Sequence, residues 1–348
     1  MGTVPWLPIA GFTPDISARI EHAIASGRLD GLHGLVLRLR GQTIAEFYRR
    51  GQDNTWGLDL GMVEHGIDTL HDLRSITKSI VGLLYGIALD QGLVPPPEAA
   101  IFDVLPGYAN LADHAHRQIT IAHALTMSIG TLWDETVPYT SDANSEIAME
   151  RAPDRLRYIL SRPIIEQPGR TWNYNGGAAA LIGAIISVGG GQPIEEFAKE
   201  VLFDPLGIER FEWVHSWDGI AASASGLRLT ARDLAKLGDL LLAGGVWDGL
   251  QIVPAEWVTA STTDYFSVTP DNGYGYFWWT GRAMLSPASS QLPWYAGFGN
   301  GGQRLFVLPA AGVVLAAFFG NYNQSGSALP PTYLWSDIVL SALTGNEG

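Results

Sequence analysis

The stretch "DLRSITKSIVGLLYGIAL" (Asp72–Leu89) decides how the rest of the chain is read. After Lys78 it is apolar on nearly every side (Ile80, Val81, Leu83, Leu84, Ile87, Ala88, Leu89), and a helix that is hydrophobic all round belongs in a core. Yet Ser75 and Lys78 stand at its mouth, three residues apart, on one helix face. Lysine is scarce here: three residues, against 18 arginines (21 basic residues minus three). The other two, Lys199 and Lys236, follow Glu196 and Asp233 by three residues and read as ordinary helix-face ion pairs. Burial depresses a lysine, and a neutral amine can act as a base, which an arginine cannot. Ser75, at the helix start, offers its N–H and the positive dipole end to a developing oxyanion. The plain alternative is a serine cap beside a snorkelling lysine.

Two further stretches bear on this pair. "QPGRTWNYNGG" (Gln167–Gly177) places Tyr174 just before a second apolar helix, "GGAAALIGAIISVGGG". A phenolate there gains from the helix N-terminus and from a nearby ammonium, although a tyrosine packed in a core explains the local pattern equally. "GFGNGGQ" (Gly297–Gln303) contains Gly-x-Gly-x-x-Gly, but the strand-like "QRLFVLP" follows where a dinucleotide site needs a helix. Glycines leading into a strand instead allow close approach to backbone N–H groups, as a second oxyanion donor requires, or make a plain turn.

Composition narrows the setting. Of 348 residues, 47% are hydrophobic and 16% charged, enough for a substantial core. The net charge of −14, without a basic run, disfavours nucleic acid as a partner. No cysteine is present, which excludes disulfides and thiol chemistry. Apolar runs fall short of the ~20 residues of a membrane span. The start, "MGTVPWLPIAGFTPD", lacks the basic and apolar regions of a signal peptide, which favours the cytoplasm over the periplasm or export.

Along the chain, 15–26 reads as a helix and 34–51 as a hairpin turning at Gly41. Short helices follow around 119–128 and from 145 to just before Pro163, then clear helices in "PIEEFAKEVLFDPLGI" and in "TARDLAKLGDLLLAGG", the last capped by Thr230. "GYGYFWW" reads as a strand, "QRLFVLPAAGVVLAAFFGNY" as two strands joined at Pro309–Gly312, and "PTYLWSDIVLSALTG" as a closing helix. Strands, many helices, then strands and a helix favour α+β, with both termini sharing an antiparallel sheet flanked by helices and a mostly helical lobe inserted.

With these motifs in order, the chain resembles the penicillin-binding-protein/β-lactamase-like serine hydrolases. Within them it is most similar to the class C-type esterases and 6-aminohexanoate-dimer hydrolase-like enzymes. "HDLRSITKSIVGLLYGIA" matches the Ser-x-x-Lys motif and "PGRTWNYNGG" the tyrosine motif; "ITIAHALTMSIGTLWDE", "LFDPLGI", "GLRLTARDLAKLGDLLLAGG" and "GNGGQRLFVLP" match segments between and after them. The resemblance implies a β-lactamase/transpeptidase-like fold in one hydrolase domain, 1–348, with an α/β lobe at about 1–95 and 245–348 and a helical lobe at about 96–244. It implies Ser75 as nucleophile, Lys78 and Tyr174 as proton-transfer partners, and the backbone N–H groups of Ser75 and Asn300 as oxyanion hole. Trp133, Tyr139, Trp172, Asn175, Gly299 and Gly301 are the expected substrate contacts; no metal or other cofactor is expected. Two departures stand out. Tyr174-Asn175-Gly176 lacks the Asn that ends Tyr-x-Asn, and Gly297-Phe298-Gly299 stands in place of Lys-Thr-Gly or His-Thr-Gly. The lost amide and cation would grip a β-lactam, so a small-molecule ester or amide is the expected substrate, ahead of a β-lactam or D-amino-acid peptide.

Other readings are weaker. No Gly-x-Ser-x-Gly occurs and the last histidine is His215, against a Ser-His-Asp hydrolase of the α/β-hydrolase order. No His-Glu-x-x-His occurs, and His114 and His116 near Asp113 read as a solvated loop, not metal ligands. A non-catalytic binding protein would have no use for all three of Ser75, Lys78 and Tyr174.

Overall fold

The computed structural model describes residues 9–284 and 291–345; most of the N-terminal stretch judged above for a signal peptide lies outside them. The chain divides into two compact units. The first comprises Met1–Ile76, Arg228–Ala243 and Trp279–Gly348; the second comprises Thr77–Leu227 and Gly244–Trp278.

In the first unit, the ends of the chain meet where β1 (Ile9–Phe12) pairs antiparallel with the last strand, Leu343–Gly345. The large antiparallel sheet is built from β2 (Leu32–Leu39), β3 (Gln42–Tyr48), β7 (Trp279–Ala283), β8 (Leu292–Gly299), β9 (Gln303–Leu308) and β10 (Val313–Phe319). Within this unit their order is β7-β8-β9-β10-β2-β3, so N- and C-terminal strands share one sheet, as expected. Register is fixed by apolar pairing: Leu37 faces Leu315 on one side and Ala45 on the other. Every residue of β9 and β10 is buried, the mark of central strands covered on both faces. Helix α1 (Ile16–Ala25) turns Ile16, Ile20 and Ala23 inward, a single 3.6-residue stripe. The stripe joins a core of Leu35, Leu37, Phe306 and Leu315, where Trp335 stacks on Phe306 at 4.3 Å. Each such side chain contributes roughly 1.5–3 kcal/mol by burial.

Between the β2–β3 hairpin and the second unit come β4 (Arg50–Thr55), β5 (Leu58–Glu64) and the two-residue β6 (His71–Asp72). β4 and β5 form a separate hairpin; β6 pairs antiparallel with Arg228 and Leu229. None of the three announced itself in the sequence. β5 is mostly exposed and β6 is too short to show a period.

The second unit is mainly helical. Its principal helices are α2 (Ile76–Asp90, which starts one residue earlier in the first unit), α3 (Ser145–Glu150) and α4 (Gly176–Gly190). Asn175 caps α4 by accepting from the Ala178 N–H, and Gly191 closes it in the left-handed conformation. Among the described residues no single helix is long and apolar enough to cross a membrane.

The observed division differs from the expected lobes in three places. α2 belongs with the helices, because it is apolar all round and needs a helical surround. α5 (Ala231–Leu242) belongs with the sheet: it is amphipathic, Thr230 caps it as expected, and Gly238 lets it lie against Val314 and Leu305. Residues Gly244–Trp278 join the helical unit. "GYGYFWW" is also not one strand. A strand ends at Tyr274 and the next begins at Trp279, and Phe277 takes a left-handed φ of 62°. Gly275 there packs so close to the Ser261 carbonyl that no Cβ would fit.

Candidate active site

The Ser75 region is built by its own unit. Asp72, on β6, accepts from the Thr55 hydroxyl at 2.9 Å and the Trp56 N–H at 3.0 Å, and pairs with Arg228 at 2.8 Å and Arg74 at 3.1 Å. Arg74 then takes a left-handed φ of 50°, uncommon for a residue with a Cβ. Its guanidinium is held by the Asn54 side chain at 2.7 Å and over the Tyr322 ring at 4.6 Å. This anchored, strained turn delivers the chain into α2, so Ser75 stands immediately before the first helical residue. Gly299, at the end of β8, runs directly against the same turn: a Cβ there would overlap the Leu73 carbonyl and touch Arg74. The sheet thus brings the glycine stretch to the segment carrying Ser75. Asn300 holds its turn through its side chain, donating to Asn323 Oδ1 and accepting from the Asn323 N–H, each at 2.9 Å. Gly301, at φ 90°, lies where a Cβ would collide with Tyr322; its place is in that turn.

In the helical unit, Lys78 is fully buried. Its ammonium donates to Glu146 Oε2 at 3.1 Å and to the Ala224 carbonyl at 2.8 Å, and lies 5.1 Å from the centre of the Tyr174 ring. Ser225 donates to the other Glu146 oxygen at 2.9 Å. Burial alone would depress Lys78, as the sequence suggested, but the Glu146 carboxylate, helped by Tyr174 and Glu135, outweighs it and lifts the amine above its ordinary range. The shift therefore runs opposite to the one that burial alone suggests, and it favours the ammonium form of Lys78.

Glu135 completes the network. It accepts from Trp133 Nε1 at 2.6 Å, the Gly176 N–H at 2.5 Å and the Tyr139 hydroxyl at 2.7 Å. The Gly176 contact sets its carboxylate at the N-terminus of α4, the favourable end of the dipole. Desolvation, reinforced by the Glu146 charge, still pushes Glu135 up from the usual carboxylate range. Gly176 also leaves room for Glu146, since a Cβ there would overlap Oε2.

Tyr174 is half-buried, with Trp172 and Tyr274 at ring distances of 6.1 and 6.4 Å. The structure brings Lys78 and Tyr174 together, and it places Ser75, Gly299, Asn300 and Gly301 in the sheet unit. Three expected substrate contacts turn out otherwise engaged. Trp133 and Tyr139 bind Glu135, and Asn175 is buried and spends its amide oxygen on the α4 cap. His116 is likewise not solvated: it is buried, 2.7 Å from Asp113 and 3.0 Å from the Arg162 carbonyl. Glu135 and Glu146 were missed altogether. The one signal was indirect, since a buried lysine demands a counter-charge. Its partner lies 68 residues on, in a helix that reads as ordinary surface.

The helical unit thus holds a buried lysine beside a tyrosine ring, and the sheet unit holds the serine that precedes α2, the residues of the Ser-x-x-Lys and tyrosine motifs. The sequence profile of the family described as Beta-lactamase matches residues 35–333, and the chain belongs to that family. It is 24% identical over 323 residues to the 6-aminohexanoate-dimer hydrolase of Paenarthrobacter ureafaciens, covering 87% of this chain and 74% of that one. It is 28% identical over 195 residues to the lovastatin esterase of Penicillium rubens, covering 51% of this chain and 48% of that one. Among solved structures, EstCE1, a hydrolase with promiscuous acyltransferase activity, superposes with a TM-score of 0.73 at 15% identity, covering 93% of this chain and 97% of that one. The fold is the β-lactamase/transpeptidase-like α+β fold.

Proposed function

We propose that this hydrolase cleaves an ester or a linear amide through an acyl-enzyme on Ser75. The Ser75 Oγ attacks the carbonyl carbon as its proton passes to the Tyr174 phenolate, which becomes the phenol. Tyr174 returns that proton to the departing alcohol or amine, and water then releases the acyl group as a carboxylic acid. Lys78 serves as a fixed ammonium that stabilises negative charge on the Tyr174 oxygen. The backbone N–H groups of Ser75 and Asn300 stabilise the oxyanion, each such donor being worth about 3 kcal/mol of transition-state stabilisation.

The observation that carries this reading is the buried Lys78–Glu146 pair beneath the Tyr174 ring. A lysine already protonated cannot take the serine proton, which leaves Tyr174, as its phenolate, the proton acceptor of the two. The names of the relatives span an amide and an ester substrate, and the absent Lys-Thr-Gly argues against an efficient β-lactamase. A panel of p-nitrophenyl esters, the 6-aminohexanoate dimer and nitrocefin tests substrate class, with the ester or the dimer expected to turn over faster than nitrocefin. Ser75→Ala should abolish turnover with the fold intact by circular dichroism, and a fluorophosphonate should add its mass to the peptide carrying Ser75. Undiminished turnover, or label on another peptide, removes Ser75 from the mechanism.

A further inference from the structure

The sheet unit contains a second cluster of titratable groups, unrelated to the proposed acyl transfer. His33 on β2, Asp53 on β4, His65 just after β5 and His71 on β6 converge, each offering one atom within 4.8 Å of the others. The separations are 2.9 Å from His33 Nδ1 to His71 Nε2, 3.8 and 3.7 Å from those two nitrogens to Asp53 Oδ1, and 3.9 Å from His65 Nε2 to Asp53 Oδ2. Four ligands around a tetrahedral zinc at 2.0–2.1 Å stand roughly 3.3 Å apart; the His33–His71 pair is closer than that edge and the three separations to Asp53 are about half an ångström wider.

Three observations separate this cluster from a satisfied polar core. First, His65 Nε2 is buried and has no hydrogen-bond partner, although its side chain is 97% enclosed (3% exposed). Natural cores rarely leave such a nitrogen unanswered. Second, His71 Nδ1 meets the Asp72 carbonyl at 3.0 Å, so that nitrogen carries the proton and the Nε2 lone pair faces the cluster. An outer-shell carbonyl of this kind orients metal-bound histidines. Third, the backbone makes room for the rings. A Cβ on Gly320 would come within 2.5 Å of the His33 ring, and Gly51 is pressed against the same ring. Neither glycine has a positive φ, so ring clearance is the reason for the missing side chain. Stacking of His33 on His65 at 4.1 Å and of His71 on Phe318 at 4.5 Å fixes the remaining freedom.

We propose that His33, Asp53, His65 and His71 form a structural binding site for a divalent transition metal, with zinc the best fit. Three imidazoles and one carboxylate suit Zn²⁺, and four protein ligands leave no open position for chemistry. Tyr322 supports the carboxylate from outside, donating to Asp53 Oδ1 at 3.0 Å. A bound ion would tie β2, β4, β5 and β6 together, and β6 leads directly into the Arg74–Ser75 turn. The proposal departs from the expectation of no metal; separate sequence segments supply the ligands, so no spaced motif announces them.

The experiment uses the full chain, stripped with a chelator and titrated with Co²⁺ and then Zn²⁺. The expected result is one equivalent of Co²⁺ with the intense visible absorption of a tetrahedral site, its displacement by Zn²⁺, and a melting temperature that rises until one equivalent is bound. His65→Gln, which fills the space but cannot ligate as imidazole does, should lose about tenfold or more in metal affinity. Absence of stoichiometric uptake by the folded, unsubstituted chain overturns the proposal. So does unchanged affinity in folded His65→Gln, which would move the metal to the other histidines.

Discussion

Lys78 and His65 both carry a nitrogen base into the interior, but their surroundings answer it differently. Around Lys78 the chain supplies the opposite charge itself: Glu146 at 3.1 Å, the Ala224 carbonyl, and Glu135 behind them. Around His65 the chain supplies two more imidazoles and one carboxylate, and the His65 nitrogen stays unpartnered. The first cluster is complete as folded; the second is completed by something the polypeptide does not encode. One buried cluster therefore fixes a charge for chemistry, and the other reserves lone pairs for an ion.

The largest expected effect comes from breaking the complete cluster. Glu146→Gln leaves the Lys78 ammonium buried without its counter-charge, and losing one partner of such a pair costs about 3–5 kcal/mol. Denaturant unfolding should show that loss, with hydrolysis falling as well. The double variant Lys78→Met/Glu146→Leu removes both charges and should regain most of the stability while remaining inactive. A Glu146→Gln cost below about 1 kcal/mol would place the pair with surface ion pairs and undo the contrast.

Acid–base behaviour sharpens it next. Glu150, buried near Arg155 and Ser216, is pushed up to about 7 by burial. Its folded form therefore holds a proton that the unfolded chain releases near pH 4.5, and this group's contribution to stability falls as pH rises between about 4.5 and 7. Glu135 acts in the same direction. The histidines of the sheet unit act oppositely. His33 and His71 are depressed, so their contribution is complete above about pH 6.5 and is lost on acidification. Glu150→Gln should remove up to about 3 kcal/mol of the carboxyl slope, read from unfolding free energies across that range. A slope unchanged by the substitution would show that Glu150 is ionised throughout.

How far the sequence carried differs between the same two regions. Periodicity and caps marked the β2–β3 hairpin, the strands after Gln303, α5 with Thr230, and both apolar helices, because these signals lie within a dozen residues of each other. Ser75, Lys78 and Tyr174 stood out through motif and scarcity. What remained hidden was set by distant partners. The state of Lys78 depends on Glu146, and the histidine cluster assembles from four positions on or beside different strands that share no spacing. Burial of Lys78 was legible, but the sign of its shift was not, since composition reports desolvation and only geometry reports the neighbouring charge. The lobe boundaries differ for a related reason: α2 and α5 were assigned by order along the chain, whereas the faces they bury decide their neighbours.

The smallest effect compares two helix caps, one in each unit. Asn175 accepts from the Ala178 N–H at 3.1 Å to begin α4, and Thr230 accepts from the Asp233 N–H at 3.1 Å to begin α5. Replacing either by Ala should cost about 1 kcal/mol, because each removes one cap of the same kind. Catalysis should tell them apart. Asn175 follows Tyr174 directly, and α4 presents the Gly176 N–H to Glu135, so fraying there loosens both the phenol and the charge network beneath it. Asn175→Ala should lower kcat for a p-nitrophenyl ester by up to about tenfold, whereas Thr230→Ala should leave it within a factor of about two. Equal losses in both variants would mean that turnover tracks overall stability, and would remove the special dependence of Tyr174 on the start of α4.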